Sequence, residues 1–154
     1  MSRFILVLSL ALLTLSATPS VAQEPPVPPA RDKDVQTTVE YYYRVKWGSL
    51  KEFIALYDKN HAPLIEEMKK AGFVVDTKTE YPFTHLAGGP RWDMRVRIVY
   101  RDAAAAINDP AWEDEWVKAK GRIYKDLKKF AAEEARRFGL LEDHWDVIVA
   151  DYPG

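Results

Sequence analysis

Two stretches of strict period-two alternation, separated by a segment of helical period, constrain this chain more than any other feature. From Val39 to Trp47, residues Val39, Tyr41, Tyr43, Val45 and Trp47 share one face, and Glu40, Tyr42, Arg44 and Lys46 share the other. From Trp92 to Arg101, Trp92, Met94, Val96, Ile98 and Tyr100 oppose Asp93, Arg95, Arg97, Val99 and Arg101. Successive side chains of a strand point to opposite faces, so both stretches read as strands buried on one side.

Gly48 ends the first strand. Ser49 and Glu52 then have the spacing of a capping box, and Leu50, Phe53, Ile54, Tyr57, His61, Leu64, Ile65 and Met68 follow at helical spacing. Pro63 lies inside this helix and cannot donate a backbone hydrogen bond, which predicts a kink near Lys59–His61. Gly72 suits the helix end. A second strand is expected from Phe73 to Tyr81, and a loop around Gly88, Gly89 and Pro90. A short helical turn is expected over Asp102–Ile107. Asp109 and Pro110 are a cap and first residue of a further helix, predicted to run to about Phe138 with Gly139 at its end. Its inner side includes Trp112, Trp116, Ile123, Leu127 and Phe130. A last strand, His144 to Tyr152, places Trp145, Val147 and Val149 together.

The order strand, helix, strand, strand, helix, strand, combined with right-handed crossovers, gives an α+β, ferredoxin-like βαββαβ fold. Its four-stranded antiparallel sheet has the order 4-1-3-2, with both helices on one face. This arrangement predicts that Trp47, Trp92 and Trp145 meet at one sheet edge on the helix-facing side. The other face carries many charges and a small apolar patch of Tyr42, Val99, Ile148 and Ala150. Two such faces can pair in a homodimer, with Tyr42, Arg44, Arg95, Arg97, Val99 and Ile148 as the contact set. A solvated face with cross-strand ion pairs is the other reading.

The chain has no cysteine, which excludes disulfides, thiolate metal sites, a cysteine nucleophile and a lipid anchor on cysteine. Its net charge of −1 offers no basic surplus for nucleic acid or an anionic membrane. Arg3, the apolar run Phe4–Leu15 and the small residues Ser20 and Ala22 read as a secretory leader, residues 1–22, cleaved before Gln23. The run is too short to span a bilayer comfortably, so no membrane insertion is expected after cleavage. Pro25, Pro26, Pro28 and Pro29 mark residues 23–38 as a tether, leaving 39–154 as the folded domain. The expected location is periplasmic or extracellular.

His61 is the sharpest candidate for chemistry. It lies on the apolar stripe beside the kink, one turn after Tyr57, where an imidazole can act as a general base, bind a ligand or hold a metal. A core histidine bonded to a tyrosine or a carbonyl explains the same position. Tyr41, Tyr43, Tyr57, Tyr100 and the tryptophans suit a flat apolar pocket, with Tyr43, Trp47, Trp92, Trp145, Trp112 and Trp116 as its binding set. A plain aromatic core also accounts for them. His144 is placed on the charged face, in an anion site or an ion-pair network, and His85 falls in the glycine-containing loop. The three histidines lie on different elements without metal-ligand spacing, so no metal site is expected. No dinucleotide, phosphate-loop or serine-nucleophile motif occurs.

The run Tyr43-Arg44-Val45-Lys46-Trp47-Gly48-Ser49-Leu50-Lys51-Glu52-Phe53 resembles the dimeric α+β barrel superfamily, and within it most of all the NIPSNAP group. Leu56-Tyr57, Pro63-Leu64 and Asp109-Pro110-Ala111-Trp112 extend the likeness, and antibiotic-biosynthesis monooxygenases and EthD-like proteins are more distant. The resemblance implies the fold, a homodimer and a cavity for aromatic molecules. It leaves three functional readings open. They are an exported binding domain for a small apolar or aromatic ligand, a cofactor-independent oxygenase or isomerase with His61 and Tyr57 as its acid–base pair, and a structural homodimer without a ligand. No cofactor is expected, and haem on His61 or His144 enters only through the resemblance.

Overall fold

The computed structural model describes residues 35–84, 88, 89 and 91–150. The expected leader, the tether as far as residue 34, His85 and the last four residues lie outside the described residues. Four strands form, β1 (Thr37–Val45), β2 (Val74–Glu80), β3 (Met94–Tyr100) and β4 (Leu141–Val149). Between them lie α1 (Leu50–Leu56), a π-helical turn (Tyr57–His61), α2 (Ala62–Lys70), α3 (Ala103–Ile107), α4 (Pro110–Ile123) and α5 (Leu127–Gly139). The sheet order is β2-β3-β1-β4 with every pair antiparallel, which is the expected 4-1-3-2 arrangement. β1 starts at Thr37, so two residues assigned to the tether are strand.

The alternation of the two central strands decides where the core sits. Val39, Tyr43 and Val45 of β1 and Met94, Val96, Ile98 and Tyr100 of β3 are buried on one face. Tyr43 pairs with Met94, Tyr41 with Val96 and Val39 with Ile98. Phe53, Tyr57, Ile65 and Met68 descend onto this face, and Trp112 and Trp116 of α4 pack against the same cluster. A fully buried side chain of this kind contributes about 1.5–3 kcal/mol through removal from water.

The kink falls where Pro63 predicts it and takes the form of a π-helical turn. Ala62 N–H reaches back to the Tyr57 carbonyl. Pro63 has no N–H for the Lys59 carbonyl, and the Tyr124 hydroxyl donates there instead, at 3.2 Å to Lys59 O and 2.7 Å to Asn60 O. Tyr124 reaches this position because the last helix is not continuous, as was expected, but breaks between α4 and α5. Tyr124 is extended (φ −108°, ψ 119°), and the Asp126 carboxylate caps the new helix by accepting from Lys129 N–H. The capping box at Ser49 does not form. Glu52 instead accepts two bonds from Arg136 at 2.8 and 2.9 Å, tying α1 to α5.

β4 corrects the expected faces. Its register shifts between Arg44 and Val45, where Arg44 pairs with Asp143 and Val45 with Leu141. A bulge inserts one residue and reverses the alternation beyond it. His144, Asp146 and Ile148 therefore lie opposite Tyr43, Tyr41 and Val39 on the helix side, and Trp145 and Val147 lie opposite Tyr42 and Glu40 on the open side. Ile148 leaves the expected dimer-facing set for this reason. Trp145 stacks on Tyr42 at 5.3 Å and 4°. Trp92 precedes β3 and meets the Tyr42 ring edge-on at 5.9 Å. Trp47 lies beyond the end of β1, 72% exposed, under the Arg91 guanidinium at 4.0 Å. The three tryptophans share one end of the sheet, but not the helix-facing cluster expected of them, and the topology holds without it.

One buried arginine pins that end. Arg91 donates to the Val45 carbonyl at 2.6 Å, to Asp93 at 2.8 Å and to Glu142 at 3.1 Å. Asp93 in turn accepts from Val45 N–H at 2.8 Å. Removing the Asp93 carboxylate leaves the Val45 amide unpaired and the buried Arg91 with only Glu142 and the Val45 carbonyl, which costs about 1–3 kcal/mol. Asp93→Ala should lower the unfolding free energy by that amount, seen as a lower urea midpoint at unchanged slope, whereas a loss below about 1 kcal/mol would show that Glu142 and the Val45 carbonyl suffice for Arg91.

Candidate functional site

The helix-facing side of the sheet is not completely filled. A cavity of about 540 Å³ lies between β1 and β3 on one side and the π-turn, α3 and α4 on the other. Its sheet wall is Tyr41, Tyr43, Ile98 and Tyr100, each carried there by strand alternation. Tyr57, His61 and Ile65 of the kinked helix pair form a second wall. Ala105, Ala106, Trp112, Glu113 and Trp116 form a third, where the small α3 residues leave the space open. Trp112 and Trp116 are one helical turn apart and stack at 5.9 Å and 18°. The Trp112 ring also meets Tyr100 at 5.5 Å and Phe73 at 5.8 Å.

The polar tips of these aromatics are organised. The hydroxyls of Tyr41 and Tyr100 are 2.7 Å apart. Burial pushes the phenols of Tyr41, Tyr43, Tyr57 and Tyr100 upward, so all four stay protonated at neutral pH. His61 sits between the Tyr57 ring at 5.1 Å and the Trp116 ring at 5.6 Å. Two carboxylates, Asp109 and Glu113, line the cavity, and no Lys or Arg does among the described residues. Asp109 is engaged, accepting from Ala111 N–H at 2.9 Å and from Arg101 at 2.5 Å.

Behind His61 lies a charged group that sequence reasoning missed. Glu134 Oε2 is 3.8 Å from His61 Nδ1. Arg137 grips the same carboxylate with two donors, at 3.0 and 2.8 Å. The Arg137 residue is only 1% exposed, with its guanidinium over the rings of Phe53, Tyr57 and Phe138. Burial alone would raise the Glu134 carboxyl, but the two hydrogen bonds from Arg137 and the nearby positive charge outweigh it and hold it down at about 2. In sequence, Glu134 and Arg137 are indistinguishable from the solvated charges around them on α5. Their spacing of three residues carries a helix-surface pair as readily as a buried one.

The structure thus brings His61, Tyr57, Tyr43, Trp112 and Trp116 to one cavity, and Tyr41 and Tyr100 with them. Trp47, Trp92 and Trp145 are not part of it. Trp47 and Trp92 line a separate hollow with Tyr81 and Phe83, and Trp145 belongs to the open face. His144 stacks on Tyr43 at 4.5 Å with Nδ1 2.8 Å from the Tyr42 carbonyl. It lies on the helix side rather than on the charged face, where it was expected. No cluster of three or more metal-ligating side chains occurs among the described residues.

No family model matches the sequence, and no curated protein matches it. Solved structures do match. A dimeric ferredoxin-like protein from an uncultured marine organism aligns over 79% of this chain and 94% of its own at 7% identity, with a TM-score of 0.50. A NIPSNAP family protein from Agrobacterium tumefaciens aligns over 80% of this chain and 91% of its own at 15% identity, with a TM-score of 0.45. An ethyl tert-butyl ether D family protein from Bacillus halodurans aligns over 77% of this chain and all of its own (100%) at 15% identity, with a TM-score of 0.44. The chain is similar to NIPSNAP, EthD and dimeric ferredoxin-like proteins, as its sequence suggested, and the likeness to the marine protein shows the fold.

A carboxylate held down at about 2 against an ordinary 4.5 stabilises the fold above pH 4.5, and that stability is lost as pH falls from 4.5 toward 2. The contribution at neutral pH is on the order of 3 kcal/mol at most. Urea unfolding of the wild type and Glu134→Gln should show a gap at pH 7 that narrows steadily below pH 4.5. A gap independent of pH would mean that the carboxylate charge is not what the fold uses.

Proposed function

We propose that this protein is an exported, homodimeric binding domain for a small uncharged molecule of apolar or aromatic character. The cavity carries this reading. Its 540 Å³ lies in the range of small-molecule sites, and it joins apolar walls to a few fixed polar groups. Stacked Trp112 and Trp116 suit a flat ring, and protonated tyrosines suit a hydroxyl or carbonyl. Glu113 and the lack of a lining cation disfavour an anionic ligand. A cofactor-independent oxygenase or isomerase is the second reading, favoured by His61 beside Tyr57 in the wall.

The open sheet face supports the homodimer. Tyr42, Trp145 and Val147 stand on it beside the Arg95 pairs with Glu80, at 2.6 Å, and Glu40, at 3.4 Å. Arg44, Arg97 and Val99 belong to the same side, and the marine protein of this fold is described as dimeric. Export rests on the leader read from residues 1–22, and purified protein from the cell exterior should begin at Gln23.

Calorimetric titration with 2-naphthol and 2-naphthoate tests the cavity. The naphthol should bind at least about tenfold more tightly, a difference of roughly 1.4 kcal/mol, and Ala106→Phe should abolish binding while the fold persists. Equal affinity, tighter naphthoate or no binding of either would contradict the reading, the last favouring a structural homodimer. Sedimentation of Trp145→Glu tests the interface, with a monomer expected where the wild type is a dimer.

A further inference from the structure

The Arg137–Glu134 pair is expensive for a structural tie. Taking a guanidinium out of water costs several kcal/mol, and apolar residues often fill such space as well or better. Arg137 Nη1 has no hydrogen-bond partner among the described residues, so the pair does not satisfy every donor of the arginine. It is arranged to hold the carboxylate. Two parallel donors fix its plane, and the fixed oxygen Oε2 is the one 3.8 Å from His61 Nδ1.

The other sides of the imidazole are equally constrained. Tyr57 approaches from its own helical turn and Trp116 from α4. The ionisable groups around it are the carboxylate and guanidinium of α5, the protonated phenol of Tyr57, and Glu113 on the α4 wall of the cavity. With Nδ1 turned to Glu134, Nε2 is the nitrogen left to meet a molecule in the cavity.

We propose that Glu134, held by Arg137, is a positioning residue that sets His61 in the Nδ1–H tautomer and so presents an unprotonated Nε2 to the cavity. At 3.8 Å the contact is longer than a hydrogen bond, so the carboxylate acts through its charge, which favours the tautomer with the proton on the nearer nitrogen. A bound molecule with a hydroxyl, amine or acidic C–H then donates to Nε2. In full transfer the donor's bond to hydrogen breaks, its electron pair stays on the donor atom, and the proton binds Nε2. The imidazolium formed keeps its Nδ1 proton toward the Glu134 carboxylate, and no oxidant or reductant takes part. The consequence for a ligand rests on the cavity being a ligand site, but the tautomer does not.

The test is nitrogen NMR of the full chain labelled at its three histidines, with His61 assigned by its disappearance in His61→Gln. The spectra are read at a pH where the nitrogen shifts themselves report neutral rings. His61 should then show a pyrrole-type Nδ1 and a pyridine-type Nε2. In Glu134→Gln the Nε2–H form should rise to about half or more, as expected when an orienting partner is lost. A wild-type ring in the Nε2–H form, or a wild-type pattern unchanged in folded Glu134→Gln, overturns the proposal. Should Glu134→Gln not fold, the wild-type tautomer decides alone. Addition of 2-naphthol separates the two readings. A His61 Nε2 resonance that does not respond, with the tautomer as expected, sinks the ligand site and leaves the positioning role standing.

Discussion

The missing N–H of Pro63 is the local defect around which the site is built. Without a donor for the Lys59 carbonyl, the first helix widens into a π-turn. The Tyr124 hydroxyl takes over the exposed carbonyls. Glu133 accepts from Lys59 at 2.6 Å and from Asn60 at 3.0 Å. The turn is therefore held from α5 and from the α4–α5 break as well as by its own π-type bond from Ala62 N–H to the Tyr57 carbonyl. The turn carries Tyr57 and His61 into the wall above the sheet. The break that frees Tyr124 also sets the start of α5, and with it the depth at which Glu134 and Arg137 lie. A π-turn inside an α-helix is a frequent companion of functional sites, and here the route from backbone defect to side-chain placement is continuous.

A second constraint acts at the far end of the sheet. Arg91 and Asp93 bind the chain leaving β1 to the chain approaching β3, and Arg91 also holds Glu142 at the β4 bulge. That bulge decides which residues of β4 face the helices. It sends Trp145 outward onto Tyr42 and turns His144 inward onto Tyr43. The open face is more aromatic as a result than its charged central strands suggest. The cavity side and the open side of the sheet are thus set by different devices, one a proline and the other a buried ion pair.

What could be read from sequence follows how strongly burial enforces each pattern. β1 and β3 are buried on one face, so their alternation was plain and placed the tyrosines of the cavity, while the order of elements and right-handed crossovers supplied the sheet order. The proline kink was legible because its cause is covalent. β4 is an edge strand with Val147 at 45% and Ile148 at 51% exposure, so neither face was enforced and the bulge left no mark. The continuous last helix was a misreading of Asp126, an N-cap residue in mid-pattern. The Ser49 box failed because Arg136, distant in sequence, competes for Glu52. Glu134 and Arg137 were invisible because a buried ion pair and a surface one share the same spelling.

The central claim is that the space between sheet and helices admits a ligand against His61. Crystals soaked with 4-bromophenol test it directly through the anomalous signal of bromine. The account predicts a bromine peak between Tyr57, Trp112 and Trp116, with the phenol oxygen within hydrogen-bond distance of His61 Nε2. A cavity closed by those same side chains, or bromine bound only elsewhere on the molecule, would contradict it.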